Sequence, residues 1–295
     1  MRLLVVGANG LLGSNVVHTA QQRGWDVRGT YHSERPAFDI PLDQHGLRNY
    51  DVFRNILAEH EPEAVINCAA MTDVDACETN PELAYELNGE APGEMAAECR
   101  RENIEFVHIS TDYVFDGTAR VPYDETDEMN PVQAYGESKL AGEQAVEEVQ
   151  ESALIARLSF VWGVHRGDEE LTGFPAWVRG KFLDGDDVPL FIDQWVTPTR
   201  AGQAADVLLD LAAQGADGLF HVACRSCVTP YEFGELLSEY VDEDADLREG
   251  SVADVEREAT RPTYSCLNVA RLESTLNREQ PTLREDIEAI EEAFR

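Results

Sequence analysis

The sequence predicts an α/β protein built on a doubly wound parallel sheet, followed by a smaller C-terminal lobe. An apolar strand at residues 2–6 runs into a glycine-rich turn and then into a helix. Short apolar strands and helices alternate from there to residue 158, as they do when a strand–helix–strand unit repeats. The alternation loosens after residue 158, so we divide the chain into residues 1–158 and residues 159–295.

The individual elements follow from apolar runs and one-sided apolar faces. Buried strands are predicted at 2–6, 25–31, 64–67, 105–109 and 152–158. Helices are predicted at 11–23, 50–60, 84–99 and 132–150. The second part contains helices at 204–213 and 230–240 and a strand at 218–222. Parts of this region near 188–222 could therefore return to the main sheet.

The chain is strongly acidic, with 57 acidic and 23 basic residues and a net charge of −34 in 295 residues. Such a charge repels phosphates, so we expect no binding to nucleic acid or to an anionic membrane. The acidic residues are spread along the chain, which indicates a solvated surface suited to high salt. Only two of the basic residues are lysines, Lys139 and Lys181. This scarcity, with a pI near 4.3, resembles the proteins of extreme halophiles.

The sequence predicts a cytoplasmic protein with reduced cysteines. No apolar run approaches the roughly 20 residues that span a bilayer, and the apolar residues 1–7 lead into a glycine loop instead of a cleavage site. The six cysteines form no dense framework. Cys224 and Cys227 lack a second Cys or His pair at metal-binding spacing, so we predict no metal site.

The first glycine-rich turn has the spacing expected of a dinucleotide-binding loop. Gly7 allows a sharp turn, Gly10 lets the backbone approach a pyrophosphate, and Gly13 lets the helix pack close to the strand. We therefore predict that residues 1–158 form a Rossmann-type domain and residues 159–295 mainly a substrate-binding lobe. The loop residues assigned to the cofactor are Gly7, Asn9, Gly10, Leu11, Leu12 and Gly13.

The end of the second strand favours NADPH as the cofactor. No acidic residue stands at its tip, where NAD-specific folds use one to bind the adenine ribose. His32, Ser33 and Arg35 could receive a 2′-phosphate instead, although Glu34 keeps NADH open. Asp39 could bond the adenine amine or could be an ordinary turn residue.

The third and fourth strands deliver further candidates to the same edge of the sheet. Cys68, Ala69 and Ala70 are small residues against which a flat cofactor can lie. Ser110 and Thr111 end the next strand. Because the carboxyl ends of parallel strands share one edge, we expect these residues to meet the glycine loop.

Tyr135 and Lys139 are four residues apart on a predicted helix and therefore share a face. An ammonium group lowers the pKa of a nearby phenol, and it can also donate to the ribose of a nicotinamide nucleotide. A hydroxyl from Ser110 or Thr111 can bond a carbonyl oxygen that becomes an alkoxide. This set suits hydride transfer in which Tyr135 supplies the proton.

These motifs together resemble the extended short-chain dehydrogenase/reductases, and among them the dTDP-4-dehydrorhamnose reductase family. The resemblance extends beyond the site to Asp193-Gln194, Pro198-Thr199 and Arg261-Pro262. It implies catalysis by Thr111, Tyr135 and Lys139. It implies a nucleotide-sugar substrate near Val74, Asp112, Tyr113 and Trp162. We also assign Ile40, Thr72 and Asn88 to the cofactor site.

The residues after Thr111 separate this reading from related enzymes. Nucleotide-sugar dehydratases place an Asp-Glu pair there as acid and base, whereas this chain has Asp112 and Tyr113. Elimination is therefore disfavoured, and we expect NADPH-dependent reduction of a 4-keto deoxysugar, with dTDP-4-dehydro-L-rhamnose as the expected substrate. An epimerase remains an alternative, as does an NADP-binding regulatory subunit similar to that of methionine adenosyltransferase. The sequence leaves open whether the chain forms a homodimer.

Overall fold

A computed structural model describes residues 1–241 and 246–294 of the chain. Within these residues every helix is too short or too polar to cross a membrane. The strands in chain order are β1 (Arg2–Val6), β2 (Asp26–Tyr31), β3 (Leu42–Gln44), β4 (Ala64–Asn67), β5 (Glu105–Thr111), β6 (Leu154–Leu158), β7 (Val161–His165), β8 (Glu170–Thr172), β9 (Val188–Phe191), β10 (Thr199–Arg200), β11 (Gly218–His221) and β12 (Leu247–Gly250).

The helices complete the alternation and cover both faces of the main sheet. They are α1 (Leu11–Gln22), α2 (Tyr50–His60), α3 (Val74–Thr79), α4 (Pro81–Ala84), α5 (Ala91–Arg101), α6 (Ala134–Val149), α7 (Phe174–Asp184), α8 (Ala201–Ala213), α9 (Pro230–Ser238), α10 (Ala270–Leu276) and α11 (Leu283–Glu288). A π-helical turn at Tyr85–Glu90 joins α4 to α5, so the helix predicted at 84–99 is interrupted.

The main sheet has seven parallel strands in the order β11-β6-β5-β4-β1-β2-β3 among the described residues. From β1 the chain first builds outward through β2 and β3, then crosses to β4 and builds in the other direction. The crevice at such a reversal, between β1 and β4, is where ligands bind in doubly wound sheets. The fold class predicted from the sequence is confirmed.

Two apolar cores hold the helices against this sheet. Leu3 and Val5 face one core, which also contains residues of α1 and α8, and Leu4 and Val6 face the other, which contains residues of α2 and α5. Successive side chains of a strand point to opposite faces, so a strand buried on both faces is apolar throughout. This explains the unbroken apolar run of β1.

The smaller lobe is built around its own aromatic core. Trp162, Phe233 and Phe294 lie at its centre, and the ring centroids of Trp162 and Phe233 are 5.3 Å apart. The chain also returns from this lobe to the main sheet, because β11 pairs with β6 at its edge.

The expectation of six reduced thiols is wrong for two of them. Cys227 and Cys266 form a disulfide, although 39 residues separate them in sequence. Backbone bridges of Val196 to Val228 and of Trp195 to Tyr264 bring the two segments together on either side of residues 195–196. The spacing of the cysteines alone does not reveal this pairing.

Candidate active site

A cavity of about 700 Å³ opens at the carboxyl edge of the sheet, at the reversal between β1 and β4. It brings together the ends of β1, β2, β4 and β5 with one face of α6. Its predicted cofactor residues are Gly7, Asn9, Gly10, Leu11, Leu12, His32, Ser33, Cys68, Ala69, Ala70, Thr72, Tyr135 and Lys139. Thr111, Val74, Asp112 and Tyr113 line it as well.

The glycine loop forms one end of the cavity through contacts that only glycine permits. Gly7 has a φ of +82°, and a Cβ at Gly13 would lie 2.1 Å from the Gly7 carbonyl oxygen. The loop therefore packs flat against the start of α1. Gly10 precedes α1 without a side-chain cap, so the first backbone N–H groups of the helix are available to an anion.

The end of β2 differs in part from the sequence-based assignment. His32, Ser33 and Glu34 line the cavity, whereas Arg35 and Asp39 are exposed outside it. Ile40 packs toward Gly29 beneath the loop. The structure therefore leaves His32 and Ser33 as the candidates for contact with a 2′-phosphate.

Lys139 is buried at the centre of the cavity wall. Its Nζ donates to the Ile109 carbonyl at 2.5 Å, and its burial lowers the pKa of the ammonium to about 8. An ammonium at this position remains charged at neutral pH and can still donate to a ligand, because it carries three protons.

Tyr135 stays a neutral phenol in this structure. Burial raises its pKa above the ordinary value, and the nearby Thr111 hydroxyl opposes that rise only in part. The lowering of the Tyr135 pKa by Lys139 that we expected from the sequence is not found. A protonated, buried phenol is suited to donate a proton to an oxygen that gains negative charge.

The helix that carries this pair is fixed by close backbone contacts. A Cβ at Gly136 would lie 2.1 Å from the Tyr113 carbonyl oxygen, so α6 packs directly on the turn that follows β5. The Gln133 side chain caps the helix by accepting from the Gly136 N–H at 2.7 Å. These contacts set Tyr135 beside Tyr113, with ring centroids 6.0 Å apart in an edge-to-face arrangement.

Asn88 lies behind the cavity wall and not in it. Its Oδ1 accepts from the Met71 N–H at 2.8 Å, and its Nδ2 donates to the Met71 carbonyl and to the Ser138 hydroxyl. The side chain is fully buried. It therefore ties the segment after β4 to α6, which differs from the cofactor contact that we assigned to it.

The assignment of Trp162 to the substrate site is not supported by the structure. Its side chain is 0% exposed and belongs to the core of the smaller lobe, while the preceding residue, Val161, lines the cavity. Adjacent strand residues point to opposite sides. Gly13 does not line the cavity either, and it supports the glycine loop from behind.

A second cavity of about 640 Å³ adjoins the first and shares Tyr113 and Phe160 with it. Phe174, Trp177 and Phe191 contribute aromatic surface. Arg257 also lines it, with its guanidinium 5.2 Å from the centroid of the Phe191 ring.

Arg261 lines the second cavity as well, but its charge is paired. Its Nη2 lies 2.8 Å from the Asp75 carboxylate, and Asp75 also accepts from the Ala259 N–H. Asp75 thereby fastens the segment around residue 260 to α3. Arg257 is left as a cation that can meet an anionic ligand.

Sequence reasoning missed other residues that line the first cavity. Some belong to strand ends whose neighbours were assigned, which was the available signal. They are Val6, Thr30, Tyr31, His45, Leu47, Asn67, Leu87, Ile109, Leu158, Phe160, Val161 and Val196. Within residues 1–241 and 246–294, no three His, Cys, Asp or Glu side chains converge to hold a metal ion.

Comparison with known proteins places the chain among sugar-modifying reductases. It is 51% identical over 295 residues to the probable low-salt glycan biosynthesis reductase Agl14 of Haloferax volcanii, covering 100% of this chain and 98% of that protein. It is 34% identical to a dTDP-4-dehydrorhamnose reductase of Mycobacterium tuberculosis, covering 90% of this chain and 84% of that one.

A solved structure agrees with these relatives. The dTDP-4-dehydrorhamnose reductase of Bacillus anthracis in complex with NADP superposes with a TM-score of 0.88 at 26% identity, covering 98% of this chain and 97% of that one. The family model described as the RmlD substrate binding domain matches residues 1–295. The chain therefore belongs to the RmlD substrate binding domain family, within the extended short-chain dehydrogenase/reductases.

Proposed function

We propose that this chain is an NADPH-dependent reductase that converts dTDP-4-dehydro-L-rhamnose to dTDP-L-rhamnose. The observation that carries the proposal is the convergence of Thr111, Tyr135 and Lys139 on the cavity that begins at the glycine loop. Its relatives are named as reductases, and reduction of a nucleotide-linked sugar is the coarser activity that they support.

The residues present fit a nicotinamide dinucleotide. A Cβ at Gly7 would lie 2.9 Å from Ala69, so the glycine leaves room where a side chain would fill the cradle. The uncapped start of α1 suits the pyrophosphate, and His32 and Ser33 suit a 2′-phosphate. The reduced nicotinamide, when bound, supplies a hydride to a carbonyl carbon.

Tyr135 and Lys139 have different roles in the proposed reaction. The neutral phenol of Tyr135 donates its proton to the C4 oxygen of the sugar, and the Lys139 ammonium holds the ribose. Thr111 supplies a second hydroxyl to polarise the carbonyl.

The second cavity provides a place for the nucleotide part of the substrate. The substrate sugar would lie beside Tyr113, which both cavities share. Arg257 would meet the diphosphate, and the aromatic side chains around it would face the base. A cationic group directed at this cavity is notable in a chain of net charge −34.

A substrate screen tests the proposal. Purified protein is mixed with NADPH or NADH and a set of 4-keto nucleotide sugars that differ in the sugar and in the base, and cofactor oxidation is followed by absorbance. We expect the fastest oxidation with NADPH and dTDP-4-dehydro-L-rhamnose. Epimerised sugar without net oxidation would indicate an epimerase. Inactivity with every sugar, together with binding to a methionine adenosyltransferase, would indicate a regulatory subunit.

A further inference from the structure

The one proton of the Thr111 hydroxyl is already donated within the protein. A threonine hydroxyl has one proton to donate and two lone pairs to accept with. The Thr111 hydroxyl donates to Asp112 Oδ1 at 3.0 Å and accepts from the Tyr113 N–H at 3.2 Å. While Asp112 is a carboxylate, Thr111 therefore has no proton left for the carbonyl of a substrate.

Asp112 is held in an environment that makes its neutral form accessible. The residue is 2% exposed, and the Ser159 hydroxyl donates to its Oδ2 at 2.8 Å. Burial raises the pKa of Asp112 to about 6, and the hydrogen bonds from Ser159 and Thr111 limit that rise.

Apart from the arginines, the other titratable groups near Asp112 have pKa values above that of Asp112. Tyr135 on α6 and Tyr113 on the same turn both have pKa values raised by burial. Burial lowers the pKa of Lys139, on the same wall of the cavity, to about 8. Arg257 and Arg261 act on Tyr113 from the other side.

We propose that Asp112 is a positioning residue that controls the direction in which Thr111 donates its proton. When the carboxyl is neutral, it donates to the Thr111 oxygen, and the Thr111 hydroxyl is free to donate to the substrate carbonyl. When the carboxyl is ionised, it accepts the hydrogen bond from the Thr111 hydroxyl, which then has no proton to donate to the substrate. The proton on Asp112 comes from solvent, and the exchange forms or breaks no bond to carbon.

This inference rests on the proposed reductase function and gives it a pH dependence. The folded-state pKa of Asp112 is raised, so the active neutral form is present at acidic pH and is lost as pH rises. We expect the rate of hydride transfer in a single turnover to fall about tenfold between pH 6 and pH 7.5. Lys139 also begins to lose its charge toward pH 8, so the part of the fall that is absent in Asp112→Asn reports Asp112. The phenol of Tyr135 stays protonated throughout.

Two variants distinguish this role from a structural one. Asp112→Asn carries a permanently neutral amide that can donate to Thr111 and accept from Ser159, so its single-turnover rate should lose the fall with pH. Ser159→Ala removes a donor to the carboxylate from a residue that does not line either cavity. It should raise the pKa of Asp112 and move the fall upward by about one pH unit.

Protonation of the Asp112 carboxyl can also be measured without turnover. Infrared difference spectra of the wild type against Asp112→Asn follow protonation of this carboxyl directly, and Thr111→Val and Ser159→Ala should both raise its midpoint. Unchanged midpoints in both variants would overturn the inference even if the protein proves inactive. A pH profile of Asp112→Asn parallel to that of the wild type would overturn it in an active enzyme. Lack of turnover in the wild type would count against the reductase function alone.

Discussion

At the scale of single residues, Tyr135 has the most direct role in the proposed reaction. Burial keeps its phenol protonated, and Thr111 and Lys139 lie on the same cavity wall. Replacing the phenol removes the proton donor but keeps the ring that packs edge-to-face on Tyr113.

We therefore expect Tyr135→Phe to lower kcat by about 100-fold or more, while the Kd for NADPH stays within about twofold. Steady-state kinetics and a fluorescence titration of NADPH measure the two effects separately. A near-normal kcat would contradict the assignment of Tyr135 as the proton donor.

The positions of the candidate catalytic residues could be predicted from the sequence because their geometry follows from local rules. Thr111 ends a parallel strand, and Tyr135 and Lys139 share a helix face, so the topology brings them to one edge. Trp162 shows where such rules fail. Whether Val161 or Trp162 faces the cavity depends on how β7 packs against the smaller lobe, which no local pattern reveals.

At the scale of elements, the position of α6 depends on glycines that admit backbone atoms of a neighbouring segment. A Cβ at Gly136 would lie 2.1 Å from the Tyr113 carbonyl oxygen. A backbone carbonyl cannot move aside as a flexible side chain can, so the helix itself would have to shift. Tyr135 and Lys139 would shift with it.

Gly136→Ala should therefore destabilise the fold by about 1–3 kcal/mol and reduce turnover. Gly180→Ala in α7 is a matched control, because a Cβ there would meet nothing within 4 Å, and alanine is the better helix former. Chemical denaturation and kinetics of both variants measure the difference. Equal changes in unfolding free energy and in turnover for the two variants would show that α6 tolerates displacement.

The disulfide is a second element-scale feature with a measurable consequence. The bond between Cys227 and Cys266 closes a loop of 39 residues, and loss of such a cross-link costs about 4 kcal/mol in the chain-entropy treatment. A reducing agent should lower the midpoint of thermal unfolding of the wild type. The unfolding midpoint of the double variant Cys227→Ser/Cys266→Ser should not change with the reducing agent. If the reducing agent changes the midpoints of the two proteins equally, the bond does not form in solution.

Helices and strands could be predicted from the sequence where their apolar pattern is regular. They could not be predicted where tertiary contacts determine the local structure. The alternation up to residue 158 gave most strands of the main sheet, because each is a short apolar run. The π-helical turn at Tyr85–Glu90 and the disulfide were missed. Both depend on segments that meet only after folding, such as Asn88 against the segment after β4.

At the scale of the whole molecule, charge is the dominant feature. A net charge of −34 on 295 residues implies strong repulsion between acidic groups. Raising the ionic strength from 0.1 M to 1 M shortens the Debye length from about 10 Å to about 3 Å. The midpoint of thermal unfolding should therefore rise substantially with KCl. A midpoint that falls or stays constant would indicate that the acidic surface does not limit stability.

The arrangement of the two lobes was only partly predictable. The loosening of the strand–helix alternation marks where the second part begins, and the strand predicted at 218–222 allowed a return to the main sheet. Its pairing with β6 depends on tertiary contacts. The second cavity lies between segments far apart in sequence, from Asp75 to Arg261. Such convergence is a property of the folded chain that no local pattern reveals.

The central claim is that the cavity reduces a 4-keto sugar by hydride transfer. It is tested most directly with NADPH that carries deuterium at the transferred position of the nicotinamide, mixed with dTDP-4-dehydro-L-rhamnose. NMR of the product should show deuterium at C4 of dTDP-L-rhamnose, with one NADP⁺ formed for each sugar reduced. Tyr135→Phe should form this product at least about 100-fold more slowly. A sugar product without deuterium, or one formed without net oxidation of NADPH, would contradict the account.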